Sequence, residues 1–349
     1  MKQISIIFLS FLIIACGSNS MNAPYQSKNM KNGIFENVHT VKMHSFWEVV
    51  WGNLTSETGR AEWPEELKVA EDKSPLSRTS ENETRITFIN HATFLIQSAG
   101  FNILTDPVFS ARTSPLSFIG PKRIHTPGIA LDDLPPIDMV IISHDHYDHL
   151  DLNSIKKLIH RDDPKIYAGL GVGKRLKGST KITELDWWHS SQVEENFKIW
   201  FLDVQHFSGR SLFDRNTTLW GSYMLEINDQ KIYFGGDSGY SDHYQRTFEH
   251  FGPIDIAFLP IGAYAPRKFF KSVHMNPEEA VQAHTELQAE VSVAMHYGTF
   301  QLSAEPFNEP VKRLEKAKAD AGIKSSGFIA LEIGIPYQFS DNSLSMIKQ

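Results

Sequence analysis

A chain of 349 residues, 41% hydrophobic and 21% charged, has the ordinary composition of a globular protein and ample material for a buried core. Its formal net charge is −7 and it carries no long basic run, which sets aside a protein that holds nucleic acid through phosphate contacts. A single cysteine, Cys16, excludes a disulfide framework and any thiolate metal site in the rest of the chain.

The opening stretch, MKQISIIFLSFLIIAC, has one positive residue, Lys2, before an apolar run from Ile4 to Ala15. The run is too short for a stable spanning helix and has the form of an export signal. Ile13-Ile14-Ala15-Cys16 resembles the lipobox of bacterial lipoproteins. The resemblance implies cleavage before Cys16 and a lipid on its thiol, which anchors the chain to a membrane surface. Gly17 stands where an aspartate would signal inner-membrane retention, so the expected location is the outer membrane, facing the periplasm. Residues 1–15 are read as the signal, and 16–45, polar and without periodicity, as a flexible tether. Residues 46–83 are read as an extension that packs on the main domain through aromatics such as those of HSFWEVVWGNL, and 84–345 as the main domain.

From Thr84 the texture changes. TRITFINHATFLIQSAGFNILTDPVF reads as successive strands with a hairpin turn at Ala99-Gly100. IDMVIIS is a short apolar, β-branched strand, and FKIWFLDVQHF is another. TLWGSYMLEINDQKIYFGGDS folds back at Asn228-Asp229, and IDIAFLPIGA and VSVAMHYG again run apolar into small or functional residues. Helices intervene. Asn276-Pro277-Glu278-Glu279 supplies a cap, a first-turn proline and two early acids, and NEPVKRLEKAKADAG places Val311 and Leu314 on one face before Gly322. Mixed strand pairs with interspersed helices indicate an α/β sandwich. AGLGVGKRL lacks the spacing and the Ser/Thr of a phosphate loop and reads as a turn into a short helix.

Chemistry concentrates in SHDHYDHLD, Ser143 to Asp151, directly after the IDMVIIS strand. His144 and His146 point to one side of an extended segment, while Asp148 and His149 follow as the chain turns and can face a second point. That geometry suits two neighbouring metals. Imidazole nitrogen and carboxylate oxygen suit zinc, with manganese or iron(II) as alternatives. Further donors stand at later strand ends: His206 after IWFLDVQ, Asp237 after KIYFGG and His296 after VSVAM. Any one alone is weak, because a lone histidine after a strand is often a satisfied core residue. The conjunction points to a metal centre.

His144-x-His146-x-Asp148-His149 with His206, Asp237 and His296 resembles the metallo-β-lactamase superfamily. LTDPVFSARTSPLSFIGPKR, LPPIDMVIISHDHYDHLD, ELDWW, TLWGSY, GGDSGY, PIGAYAPR, NPEEAV and AMHYGTF are similar to the N-acyl-phosphatidylethanolamine-hydrolysing phospholipase D family, in unbroken order from about Thr84 to Pro336. The resemblance implies an αββα sandwich of two mixed β-sheets flanked by helices. It implies two zinc ions per chain, one held by His144, His146 and His206 and the other by Asp148, His149 and His296. Asp237 would bridge them together with a water or hydroxide, and Asp237 and Asp148 would serve catalysis as well as binding. His274, in VHMNPEEA, matches a family histidine of the active-site region and is read as a contact to substrate or leaving group. The implied reaction is hydrolysis of N-acyl-phosphatidylethanolamine or a related phospholipid to phosphatidate and N-acylethanolamine. The alternative keeps the metals and opens lactones, lactams or other carboxyl esters. A surface lipoprotein that uses an inherited fold for binding alone would have been expected to lose ligands.

Three features have two readings each. Asp106 orients a ligand imidazole or only starts an Asp-Pro turn. Arg267 to Lys271, RKFFK, meets a phosphate head group or membrane surface, or is a solvated loop. Trp187 and Trp188 line an apolar cleft or sit in the core.

Overall fold

The computed structural model of the chain describes residues 27–41, 48 and 61–347. The signal, the lipobox at Cys16, the first part of the tether and, Glu48 apart, the aromatic HSFWEVVWGNL stretch lie outside the described residues.

Chain order begins with a small hairpin of β1 (Met30–Lys31) and β2 (Ile34–Phe35). Then β3 (Thr84–Asn90), β4 (Thr93–Ser98) and β5 (Phe101–Thr105) fold antiparallel, turning where Ala99 and Gly100 adopt φ of 49° and 80°. β6 (Met139–Ile142), α1 (Leu152–Asp162), β7 (Lys165–Gly169) and β8 (Ile182–Leu185) continue the sheet in parallel. A second sheet starts with the antiparallel β9 (His189–Glu194), β10 (Phe197–Leu202), β11 (Ser222–Ile227) and β12 (Gln230–Phe234). It is completed in parallel by β13 (Ile256–Pro260), β14 (Val291–Met295) and β15 (Phe328–Ile329). Around it lie α2 (His243–Phe251), the single turn α3 (Arg267–Phe270), α4 (Pro277–Glu286) and α5 (Glu309–Asp320). Finally β16 (Pro336–Ser340) and β17 (Ser343–Met346) return to the first sheet beside β3.

The period of two along each strand builds the layers. In β4, Phe94 and Ile96 enter the core between the sheets while Leu95 faces outward; in β6, Met139 and Ile141 go in, Val140 and Ile142 out. In β13, Ile256 and Phe258 go in, while Ala257 and Leu259 meet the helical layer of α2, α4 and α5. The outward residues of the first sheet bury Ile155 and Leu158 of α1. Both faces of both sheets are therefore apolar, which explains why strands such as MVII and IAFLP show no polar alternation. The result is the expected αββα sandwich of an eight-stranded and a seven-stranded mixed sheet.

Residues 61–83 run along this body. Leu67 and Asp72 donate main-chain hydrogen bonds to Ile124 and Gly128, and Trp63 donates its indole hydrogen to the Glu305 carbonyl. In AGLGVGKRL, Ala168 and Gly169 end β7, and the expected turn then leads into a short helix, the three-residue 3-10 helix Gly173–Arg175. Gly169 leaves no room for a side chain because its Cβ would meet the Leu219 carbonyl at 2.3 Å. Trp187 is core, 2% exposed, and donates to the Trp220 carbonyl, while Trp188 donates to Asp203. Among the described residues, no helix is long and apolar enough to cross a membrane.

Candidate metal centre

The site lies where strands of both sheets end. β6 runs out into Ser143 and His144, β10 leads to His206, β12 to Asp237, β14 to His296 and β3 to His91. The sheets are fastened there: the Tyr223 hydroxyl donates to the Ile142 carbonyl at 2.9 Å, and Gly221 N donates to the Ser143 carbonyl at 2.9 Å. Gly236 is required beside Asp237. It has φ of 58°, and a Cβ there would lie 2.7 Å from Ser143 Cβ.

All seven proposed ligands, with His91 and His274, fall into overlapping groups of possible metal donors, and Asp237 is common to groups on both sides. In one cluster, His146 Nδ1 lies 2.7 Å from His144 Nε2 and 3.3 Å from His206 Nε2. In the other, Asp148 Oδ2 lies 3.2 Å from His296 Nε2 and 3.5 Å from His149 Nε2. Asp237 Oδ2 stands between the clusters, 3.1 Å from His296 Nε2, 3.2 Å from His149 Nε2, 3.8 Å from His206 Nε2 and 4.0 Å from His144 Nε2.

Neighbouring groups fix the tautomers. His149 Nδ1–H donates to Asp106 Oδ2 at 2.7 Å, and His206 Nδ1–H donates to the Val273 carbonyl at 2.9 Å. Ser143 donates to Asp106 Oδ2, so His144 Nδ1–H donates to the Ser143 hydroxyl at 2.9 Å. Each of these rings turns its Nε2 into the site, where the neutral ring would offer a lone pair, the arrangement that outer hydrogen bonds impose on metal-binding histidines. Asp106 is thereby an orienting group, and its φ of 33° goes with that placement. His274 Nδ1 lies 3.8 Å from Asp237 Oδ2, its ring between those of His206 and His296, each 5.3 Å away. Burial pushes its pKa down to about 4, so it is neutral at pH 7.

The residues fit a divalent cation. Asp237 Oδ1 and His149 Nε2 are buried without a hydrogen-bond partner among the described residues, polar atoms that a cation would satisfy. Burial, with His149, His146 and His206 nearby, holds His144 well below the usual imidazole range. Burial opposes ionisation of Asp148 and Asp237, yet His149 and His296 hold both carboxyls well below the usual range. Burial also opposes charge on His149 and His296, and the carboxylates outweigh it, raising His296 to about 9. Two buried anions thus demand positive charge, which imidazolium supplies here and a bound cation would supply in its place.

One member of the constellation was not singled out in the sequence. His91 Nε2 lies 3.0 Å from Asp148 Oδ2, its ring 4.1 Å from that of His296. It is 1% exposed and has φ of 48°, uncommon for a residue other than glycine. A strand-end histidine in FINHATF, with the same placement as His206 and His296, was the available clue. Asn37 was not singled out either: its side chain donates to the His206 carbonyl at 2.8 Å and accepts from His206 N at 3.1 Å.

Residues 101–297 match the model of the Beta-lactamase superfamily domain. The chain belongs to the metallo-β-lactamase superfamily. Within this superfamily it is 36% identical, over 90% of its own length and 95% of the relative's, to N-acyl-phosphatidylethanolamine-hydrolyzing phospholipase D 1 of Caenorhabditis elegans. It is 34% identical to the mitochondrial N-acyl-phosphatidylethanolamine-hydrolyzing phospholipase D of Saccharomyces cerevisiae, over 84% of this chain and 66% of that one. The superfamily fold recurs in Igni18, a metallo hydrolase of Ignicoccus hospitalis, with a TM-score of 0.55 at 23% identity over 74% of this chain and 99% of that one. The protein is a metallo-hydrolase of this superfamily, and its His/Asp centre is the candidate seat of the metal.

Proposed function

We propose that the protein is a two-zinc phosphodiesterase that cleaves N-acyl-phosphatidylethanolamine or a related phospholipid into phosphatidate and N-acylethanolamine. The observation that carries the two-metal reading is the pair of clusters joined through a single oxygen of Asp237. His144, His146 and His206 would hold one ion, Asp148, His149 and His296 the other, and Asp237 both. Two divalent cations held there would lower the pKa of a water and offset the charge of a phosphoryl group. Support for a phospholipid comes from the likeness to relatives named for that reaction, near full-length for the Caenorhabditis elegans one.

The protein's own groups prepare the reaction. Asp106 holds the His149 proton on Nδ1 and so keeps Nε2 available. His274, neutral because burial opposes its charge, offers a hydrogen bond to a phosphoryl or leaving-group oxygen and is not a standing acid at pH 7. Cys16, we further propose, carries a lipid that holds the domain at a membrane, raising the local concentration of a lipid substrate.

Elemental analysis of purified protein should find close to two zinc per chain, and a lipid panel with product masses should find phosphatidate. Asp237→Asn should abolish hydrolysis and lower zinc content while leaving the domain folded. Full activity after exhaustive chelation would remove the metal reading, and activity confined to lactones or lactams would remove the phosphodiester. Mass spectrometry of the mature chain tests the anchor: an unmodified Cys16 would end that part.

A further inference from the structure

Ten large apolar side chains stand exposed among the described residues, and they are not scattered. Leu116, Phe118 and Ile119 occupy the loop between β5 and β6, and Leu212 and Phe213 the loop between β10 and β11. Phe118 is 77% and Phe213 94% exposed. Three others adjoin these loops. Leu152 opens α1 beside the first, and Ile34 and Val38 belong to the N-terminal segment, which Phe35 N ties to the Asn216 carbonyl at the base of the second. Only Leu76 and Met346 lie elsewhere.

We propose that these two loops seat the protein on the surface of an anionic phospholipid bilayer. Both border one open cavity of about 600 Å³, lined by Arg112, Leu116, Phe118, Tyr147, Leu152 and Arg210. Tyr147 stands in the chain between His146 and Asp148, and its hydroxyl donates to the Arg210 carbonyl at 3.0 Å, so one wall of the cavity belongs to the segment that carries four of the proposed ligands. The 210–214 turn is stiffened by Asp214, which accepts from Arg210 N and Ser211 N and pairs with Arg175. Phe213 is therefore held outward by a built turn.

Charge favours an anionic partner. Arg112 and Lys122 flank the first apolar tip and Arg215 the second, and none of the three forms an ion pair among the described residues, whereas the Arg210 guanidinium is turned inward to the Asp145 and Leu150 carbonyls. The carboxylates nearby are committed, Asp214 as above and Asp151 to Ser110 N and the cap of α1. A chain of net charge −7 thus turns a basic, apolar rim outward beside the segment from His144 to His149. Apolar tips flanked by arginine and lysine bind anionic lipid by burial and surface potential together. The course of the chain favours a bilayer over a protein partner. Its N-terminal segment is fixed on this same rim, and 26 residues, the apolar run Ile4–Ala15 among them, precede Ser27. RKFFK does not compete, because Arg267 is bound to Glu279 and to the His274 carbonyl while Phe269 and Phe270 are half-buried.

The inference extends the phospholipid reading, and the test separates the two. In the full chain carrying Cys16→Ser, single thiols are placed by Phe118→Cys, Phe213→Cys, Lys268→Cys or Met346→Cys and labelled with an environment-sensitive fluorophore. On vesicles of phosphatidylethanolamine and phosphatidylglycerol, labels at positions 118 and 213 should be quenched by nitroxide lipids, and those at 268 and 346 should not. Vesicle-bound protein with 118 and 213 unquenched, or quenched no more than 268 or 346, overturns the proposal. Phe118→Asp with Phe213→Asp should cut hydrolysis of vesicle-borne substrate roughly tenfold or more and leave a soluble aryl phosphodiester unaffected. Equal loss on both substrates, or no loss on vesicles, also overturns it. Wild-type protein inert towards every phosphodiester would refute the catalytic reading, and the quenching pattern would still decide the docking face.

Discussion

His91 shares the Asp148 carboxylate with His296 and His149, so it bears on how the second cluster would hold an ion. Removing it leaves Asp148 with one fewer donor in a buried place, and losses of partners to metal ligands typically cost ~10–100-fold in metal affinity or activity. His91→Ala should therefore release zinc at lower chelator concentrations than wild type, while His91→Gln, whose amide reaches the same point, restores part of the retention. Unchanged retention in His91→Ala would show that the contact has no bearing on the metal. The seven proposed ligands were legible because each is a metal-binding residue type at the end of an apolar run, and four fall within six positions. His91 had the same kind of placement but lies 57 positions from its partner, Asp148. Only the folded sheet joins them. The orienting role of Asp106 could be named but not separated from a turn until the 2.7 Å contact with His149 settled it.

Elements with a local cause were the most readable. Asn276 accepts from Glu279 N at 2.9 Å while Glu279 reaches back to Asn276 N at 3.2 Å, a capping box spelled out in NPEE. Asn276→Ala should cost about 1 kcal/mol, read as a lower urea midpoint with an unchanged slope. No shift would mean that tertiary packing alone fixes the start of α4. The antiparallel turns at Ala99-Gly100 and Asn228-Asp229 were equally plain in the sequence. What local signals cannot carry is the pairing of strands distant in sequence. Nothing in PYQFS says that β16 returns to pair with β3 across some 250 positions, because that register is set by which apolar faces remain to be covered. α1, in LNSIKKLIHRD, was overlooked beside the louder metal motif, although its side chains at 155 and 158 have helical spacing and Asp151 caps it.

Acid should weaken the whole molecule through histidines remote from the metal. Burial pushes His284 down to about 4 and, with Arg246 adding, His243 to about 3. An unfolded chain protonates such imidazoles near pH 6.5, whereas the fold refuses the proton until about pH 4. Above about pH 6.5 they cost nothing; below it, each withdraws about 1.4 kcal/mol per pH unit until its folded pKa is reached. His284→Asn, which can keep the contact with Ser292, should flatten the fall in stability between pH 6.5 and 4 by about one proton's worth. Identical pH slopes for the two proteins would show that His284 is not held neutral. The Asn37 clasp on His206 has a mechanical consequence at this scale. The loop of the proposed ligand His206 and the N-terminal segment of the chain are coupled, so tension on that end reaches His206 through these two hydrogen bonds as well as the Asn216 loop through Phe35. Pulled from its N-terminus in an optical trap, the protein should surrender residues 27–41 at low force, and with Asn37→Ala at lower force still, with zinc escaping faster once that first rip has occurred.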